Sequence, residues 1–306
     1  MSTVPEAGRT GLGRFSVAAV QMELRIGEKR ANLEALEARA REAAALGARL
    51  AVFPECTLTG YAFDDPAGAR ALAEPVPGPS TEAVARLARE LGMHIAFGLI
   101  EAAGPGFFNA AVLVGPGGLL GSYRKVHLPW IGLDRFALPG DRPFEVLDTP
   151  LGRIGLNICY DGGFPESARV LALLGADLIV LPTSWPAGAE TLAEHSVPTR
   201  ALENHVYYIA ADRVGEERGT RYVGRSRIAD PLGRTLAVAS ADREEVLVAE
   251  IEPARARAKR VVRVAGKNEV DRIGHRRPEF YGPIAEKSVP WVAGEGEKPR
   301  QPGGSR

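Results

Sequence analysis

Three segments of this 306-residue chain end an apolar run on a side chain that could do covalent chemistry. The first, Leu50-Ala-Val-Phe-Pro-Glu55, stops on a carboxylate. A carboxylate at the edge of apolar surroundings has its charged form disfavoured and can act as a base near neutral pH; taken alone, the residue reads more readily as an ordinary exposed loop glutamate. The second, Ser122-Tyr-Arg-Lys125, ends on an ammonium. In a dry pocket such a group stabilises a developing oxyanion or a thiolate, and on a surface it is a plain lysine. The third, Arg153-Ile-Gly-Leu-Asn-Ile-Cys159, runs into Tyr160-Asp-Gly-Gly163 and then Pro165. A glycine pair permits a sharp turn and proline suits a first helical turn, so a strand, an elbow and a helix are expected, with Cys159 presented at the elbow. A cysteine near the positive end of a helix has its thiolate favoured; the alternative is a buried inert thiol, which is also the reading of Cys56. His127 competes with Glu55 as the base for a cysteine.

The elements that must position these groups alternate along the whole chain. Residues 15–21 (FSVAAVQ) read as a buried strand, and 32–46 as an amphipathic helix stopped by Gly47. Residues 50–53 form a strand halted by Pro54, and 80–91 a helix with Ser80 as N-cap and Gly92 as stop. Strands follow at 94–100, 109–114 and 119–124, then at 144–147 and 154–159. A helix opens at Pro165, 178–182 is a wholly apolar strand, 190–204 is helical, and strands are expected at 207–212, 225–228, 235–239 and 246–251. Interleaving of this kind, with no linker and no short repeat, places two mixed sheets with helices on their outer faces. Residues 1–14 read as a flexible arm, 15–285 as a single domain and 286–306 as a flexible or partner-contacting tail rich in Gly and Pro.

Composition narrows the classes. Lys plus Arg and Asp plus Glu both number 38, so the net charge is zero and the electrostatic footprint of a nucleic-acid binder is missing. No apolar run in the sequence is long enough for a bilayer and no signal-peptide core opens the chain. Two cysteines do not make a disulfide framework, which points to a reducing, cytoplasmic setting.

Taken in order, these segments resemble the nitrilase (carbon–nitrogen hydrolase) superfamily over residues 17–284. The phrases that carry the resemblance include Phe53-Pro-Glu55, Tyr123-Arg-Lys-Val-His-Leu-Pro129, Pro139-Gly-Asp141, Cys159-Tyr-Asp161, Phe164-Pro-Glu-Ser-Ala-Arg169, Arg200-Ala-Leu-Glu-Asn204 and Arg276-Arg-Pro-Glu-Phe-Tyr-Gly282. The resemblance implies a four-layer α-β-β-α sandwich, no cofactor and no metal, and pairing into a homodimer or larger assembly. It implies Cys159 as nucleophile, Glu55 as base, Lys125 and the backbone N–H of Tyr160 as oxyanion donors, and a thioester intermediate. Glu203, Arg225 and Asp230 are implied to be structural. One departure stands out: where many members have a second glutamate, the nearest acid is Asp134, read equally as its shorter replacement and as a surface aspartate.

Tyr160-Asp161 after the nucleophile resembles the amidase and carbamoylase branches rather than true nitrilases. Carbamoyl-amino-acid hydrolases of the D-type place two arginines shortly after the cysteine; here Gly162 and Gly163 stand there, and no carboxylate clamp is expected at that spot. The expected substrate is a neutral aliphatic or arylalkyl amide, with Tyr61, Trp130, Phe164 and Trp185 either lining an apolar pocket or serving as core and contact aromatics. An N-carbamoyl-amine hydrolase, a nitrilase and an amide-forming acyl transferase remain as alternatives, and a silent binding partner is the non-enzyme reading.

Overall fold

The computed structural model describes residues 13–286, so the expected arm and tail fall almost entirely outside the described residues. The first half runs β1 (Phe15–Glu23), α1 (Lys29–Ala45), β2 (Ala48–Val52), α2 (Pro66–Leu72), α3 (Pro79–Leu91), β3 (His94–Ala103), β4 (Gly106–Gly115) and β5 (Gly118–Arg124). The second runs β6 (Val146–Thr149), β7 (Gly152–Leu156), α4 (Pro165–Leu173), β8 (Leu178–Pro182), α5 (Val197–Asn204) and β9 (Tyr207–Ala211). Short strands β10 (Arg213–Val214), β11 (Glu216–Glu217) and β12 (Thr220–Arg221) precede β13 (Arg227–Ala229), β14 (Thr235–Val238) and β15 (Glu245–Ile251).

One sheet is ordered β10-β1-β2-β3-β4-β5, with β15 also paired to β1; the other is ordered β14-β13-β9-β8-β7-β6. Both are mixed: β10–β1–β2–β3 and β7–β8–β9 are parallel, while β15, β4 and β5 in the first sheet and β6, β13 and β14 in the second pair antiparallel. The period of two along a strand sorts the side chains. Val17, Ala19, Leu50, Val52, Ala111 and Leu113 face the second sheet and its Ile154, Leu156 and Val180. Their neighbours Ala18, Val20, Ala51, Ala110 and Val112 pack with Leu36 and Ala40 of α1 and Val84 and Leu87 of α3. On the far side, Ala168 and Leu171 of α4 and Ala201 of α5 cover the second sheet. The result is the expected α-β-β-α sandwich.

Topology explains why the three reactive segments converge. β5 is antiparallel to β4, which is antiparallel to β3, which is parallel to β2. The C-terminal ends of β2 and β5 therefore share one edge of the first sheet, and the residues just beyond them are Glu55 and Lys125. In the second sheet β7 and β8 run parallel and deliver Cys159 and Ser184 beyond their own C-terminal ends. This is the strand-end placement common to ligand sites in layered α/β folds.

Two local expectations are corrected. Ser80 is not the N-cap of its helix: Gly78 holds that place with Pro79 leading, and Ser80 gives its backbone N–H to Glu74 at 3.2 Å. The strand expected to reach Cys159 ends at Leu156, because Cys159 begins a tight turn over Cys159–Gly163.

Candidate active site

Glu55, Lys125 and Asp134 form a fully buried cluster. Lys125 Nζ donates to Glu55 Oε1 at 2.7 Å and to Asp134 Oδ2, and all three side chains are excluded from solvent. Asn109, on β4, gives its amide N–H groups to Glu55 Oε1 at 2.7 Å and to Asp134 Oδ1 at 2.8 Å. Tyr61 completes the ring by donating its hydroxyl to Asp134 at 2.8 Å. Every charge in the cluster is thus met by an opposite charge or a donor, as buried ions require. Glu55 Oε2 is the exception: it is buried and has no hydrogen-bond partner.

The surrounding elements hold each group in place. The turn that carries Glu55 lies so close to β3 that a Cβ at Gly98 would meet the backbone N of Cys56 at 2.3 Å, so only glycine fits there. Lys125 N donates to Asn109 O at 2.8 Å, extending the β4–β5 ladder by one residue to the base of the cluster. Asp134 sits in a tight turn, Gly132–Arg135, which puts an aspartate at the reach the resemblance assigned to a glutamate.

Cys159 stands in the left-handed region with φ 45°, and its exposure is only 6%. The expectation had placed the turning freedom of this elbow at Gly162 and Gly163. Neither has a positive φ; the strain lies on the cysteine itself, a conformation that costs a non-glycine residue energy and collects at functional sites. The elbow is braced from two sides. Asp161, buried, accepts from Ile158 N at 3.0 Å, Tyr123 Oη at 2.9 Å and His127 N at 3.2 Å, with the His127 ring Nδ1 at 2.7 Å. These bonds tie the cysteine turn to the segment around Lys125. Arg200 donates to the carbonyls of Gly162 at 3.0 Å and Gly163 at 3.1 Å and is itself held by Glu203, a bracing role for that glutamate.

The electrostatics separate a base from a thiol. Burial pushes the Glu55 carboxyl above its ordinary value, Lys125 pulls it back, and the Asp134 charge raises it again. Burial opposes the Lys125 ammonium, but attraction to Asp134 and Glu55 outweighs that and holds its pKa well above the usual lysine value. Burial and then Glu55 drive the Cys159 thiol well above the usual range, with Lys125 and the Ser184 backbone acting the other way. The expectation of a thiolate favoured by a helix end is therefore corrected: five residues of turn precede α4, and at rest Cys159 is a thiol beside a carboxylate. The backbone N–H of Tyr160 has no protein acceptor among the described residues.

A cavity of about 260 Å³ opens beside this cluster, the space of roughly nine liquid waters. Tyr61, Ser184 and Ile131 line it within reach of the cluster, and Trp130, Asp64, Arg135 and Arg218 line it farther out. Of the four aromatic pocket candidates, Tyr61 and Trp130 line this cavity. Phe164 does not: it stacks on His127 at 3.8 Å and meets Tyr160 edge-on at 5.0 Å. Trp185 is a core residue, 2% exposed. Cys56 is wholly buried with its thiol toward Asn109 Oδ1 at 3.7 Å, and its pKa is raised well above the ordinary value, chiefly by burial. His127 is committed to Asp161.

Sequence reasoning gave no role to Asn109 or Asp161, nor to Arg213 and Glu217. The last two make a buried ion pair at 2.7 Å, and Glu217 Oε2 also accepts from the backbone N–H groups of Tyr61 at 2.9 Å and Ala62 at 2.6 Å. The pair fixes the wall that carries Tyr61.

Comparison with known proteins agrees with the fold. A family model described as carbon-nitrogen hydrolase matches residues 16–261. A protein named nitrilase from Pyrococcus abyssi is 42% identical over 87% of this chain and 98% of its own. An omega-amidase of Xenopus laevis is 37% identical over 69% of this chain and 79% of its own. Among solved structures, an amidase from Nesterenkonia sp. AN1 that carries the acetamide moiety of fluoroacetamide on its active-site cysteine superposes with a TM-score of 0.73. It is 25% identical, over 92% of this chain and 98% of that one.

Proposed function

This chain belongs to the carbon–nitrogen hydrolase family of the nitrilase superfamily, and from that premise we propose that it hydrolyses a small linear amide through a thioester on Cys159. The observation that carries the reading is the buried Lys125–Glu55 ion pair at 2.7 Å, whose carboxylate keeps one oxygen unpartnered. Glu55 takes the thiol proton of Cys159 as the sulfur attacks the carbonyl carbon. Lys125 and the free N–H of Tyr160 stabilise the oxyanion. Glu55 returns the proton to the nitrogen, ammonia or an amine leaves, and the acyl group stays on sulfur. Glu55 then takes a proton from water, whose oxygen adds to the acyl carbon and displaces the sulfur; the acid is released and Glu55 returns that proton to the Cys159 sulfur. Asp134, Asn109 and Tyr61 act through Lys125 and Glu55 by fixing their positions.

The acyl group is aliphatic or arylalkyl and short. The size of the cavity supports this, as does the absence of guanidinium at Gly162 and Gly163, where the chain meets the nucleophile. The omega-amidase name of several relatives is in keeping with an amide at the end of a short chain. Both cysteines are free, which suits a reducing cytosol. Self-association is part of the reading: α4 leaves Val170 and Leu173 exposed, and with the exposed Ile284 they line a cavity of about 630 Å³.

The test is ammonia release from a panel of amides, carbamoyl amines, carbamoyl amino acids and nitriles, with wild type beside Cys159→Ala. Release from the linear amides, abolished by the substitution, supports the reading. Release that survives it removes Cys159 from the mechanism.

A further inference from the structure

One peptide unit faces both the base and the nucleophile. β8 and β9 run parallel with Pro182 opposite Ala211, so the residues just beyond them, Thr183-Ser184-Trp185 and Asp212, lie side by side. The peptide between Thr183 and Ser184 meets the site at both of its polar ends. Its carbonyl accepts from Glu55 N at 3.3 Å, and its N–H is directed at the Cys159 sulfur, where it favours the thiolate. Ser184 Oγ adds a bond to Glu55 O at 3.3 Å. The Thr183 hydroxyl also favours a negative sulfur, and at rest it is buried without a hydrogen-bond partner. At its two ends this segment is tied by Thr183 N to Ala211 O at 2.9 Å and by Val223 N to Trp185 O at 3.0 Å. Between them the hold is Asp212, whose Oδ1 accepts from Trp185 N at 3.0 Å and from Arg213 N at 2.9 Å. Asp212 is itself wholly buried, and its N–H donates to Ser226 Oγ at 2.8 Å. A single bond to this side chain therefore orients the peptide plane next to the one that bridges Glu55 and Cys159.

We infer that Asp212 is a positioning residue for amide hydrolysis: by holding Trp185 N it sets the Thr183–Ser184 peptide against Glu55 and Cys159 before substrate arrives. This rests on the thioester reading and adds to it a group that touches neither substrate nor sulfur. What the site requires of Asp212 is an acceptor at Oδ1. Its other oxygen has no partner, so an amide in its place satisfies the same two N–H groups. Arg213 is anchored independently, by Glu217 at 2.7 Å and by Leu24 O at 2.8 Å. The loss of Oδ1 consequently falls on the Ser184 side more than on the cavity wall. Displacing a reacting group by about 1 Å can slow the chemical step by roughly a hundredfold, even when the change lies away from the substrate.

Asp212→Leu keeps the branched outline and removes the acceptor, whereas Asp212→Asn keeps the acceptor. In amide hydrolysis kcat should fall about tenfold or more in Asp212→Leu, with KM within about twofold of wild type. Asp212→Asn should recover most of that loss. Alkylation of Cys159 by iodoacetamide gives a readout that needs no turnover. Displacing the Ser184 N–H disfavours the thiolate, so the pH profile of alkylation should move upward in Asp212→Leu and return toward wild type in Asp212→Asn. Melting curves recorded alongside establish that each variant is folded. A folded Asp212→Leu enzyme with wild-type kcat, or equal losses in the Leu and Asn variants, overturns the inference. If wild type turns over no amide, the hydrolase reading has failed and the alkylation profiles decide alone: a displaced Asp212→Leu profile upholds the positioning role, and coincident profiles overturn it. Should Asp212→Leu not fold, Asp212→Ser, which withdraws the acceptor toward the backbone, is held to the same criteria.

Discussion

Asp134→Asn keeps the outline of the side chain and removes its charge. In the structure Asp134 Oδ2 accepts from Lys125 Nζ and Tyr61 Oη while Oδ1 accepts from Asn109. All of these neighbours are donors, so one face of an amide must set N–H against N–H. Losing a hydrogen bond to a charged group is worth about 1.5–3 kcal/mol, which is a factor of roughly 10–150 in kcat/KM if Lys125 is thereby misplaced in the transition state. The pH profile supplies a second, signed readout. Asp134 raises the Glu55 carboxyl by repulsion, so its removal lets Glu55 ionise at lower pH and moves the acidic limb of kcat/KM downward. Asp134 is also the stronger of the two attractions that hold Lys125 protonated, so any alkaline limb due to Lys125 moves downward too. The assay is steady-state ammonia release from pH 5 to 9, with circular dichroism to establish that the variant is folded. Asp134→Glu, which retains the charge on a longer arm, should recover part of the loss. A folded Asp134→Asn enzyme with kcat/KM within about twofold of wild type and an unmoved acidic limb would refute the coupling of Asp134 to Lys125 and Glu55.

Three further outcomes follow from the same geometry. Iodoacetamide should modify the native chain at Cys159, more slowly when an amide substrate is present, and reach Cys56 only after denaturation, since Cys159 keeps 6% exposure at its turn and Cys56 has none; equal labelling of both in the native protein contradicts this. Glu217→Gln leaves the wholly buried Arg213 uncompensated, a loss of about 3–5 kcal/mol or roughly five to eight degrees in Tm. Pairing it with Arg213→Met should restore part of that, and a single variant as stable as wild type would show the pair to be dispensable. Asp212 is buried, accepts from Trp185 N and Arg213 N through one oxygen and has the other unpartnered; burial drives its pKa well above the carboxylate range. The unfolded chain releases this proton near pH 4 and the folded chain resists, so its contribution to stability is present below that pH and is lost as pH rises. Asp212→Asn should match wild type at pH 4 and melt higher at pH 8, and a lower Tm at pH 8 would reverse the sign of this argument.

What the sequence made legible is what local patterning encodes. The alternation in residues 15–21 and 50–53 sorts side chains between the two cores, because a strand has a period of two wherever it sits. The strand ends at Glu55, Lys125 and Cys159 could be marked for the same reason, since an apolar run that stops on a reactive group is a local event. Partners that arrive across the sheet leave no such mark. Asn109 lies in mid-strand between apolar neighbours and reads as an interruption, although it bonds both Glu55 and Asp134. Asp161 was quoted in its motif, but its role depends on Tyr123 and His127, more than thirty residues earlier. Glu216-Glu217-Arg218 reads as a charged, solvated loop; only the pairing of β11 with β12 buries Glu217 and turns Arg218 onto the cavity. The elbow was found for a reason that proved wrong, since the glycines beside Cys159 seemed to provide the turn that the cysteine makes itself. The difference matters for function. A turn made by glycine two residues on would leave the thiol free to rotate with its loop, whereas strain on Cys159, held by Asp161 and Arg200, fixes the sulfur relative to Glu55 and Lys125 before any substrate enters.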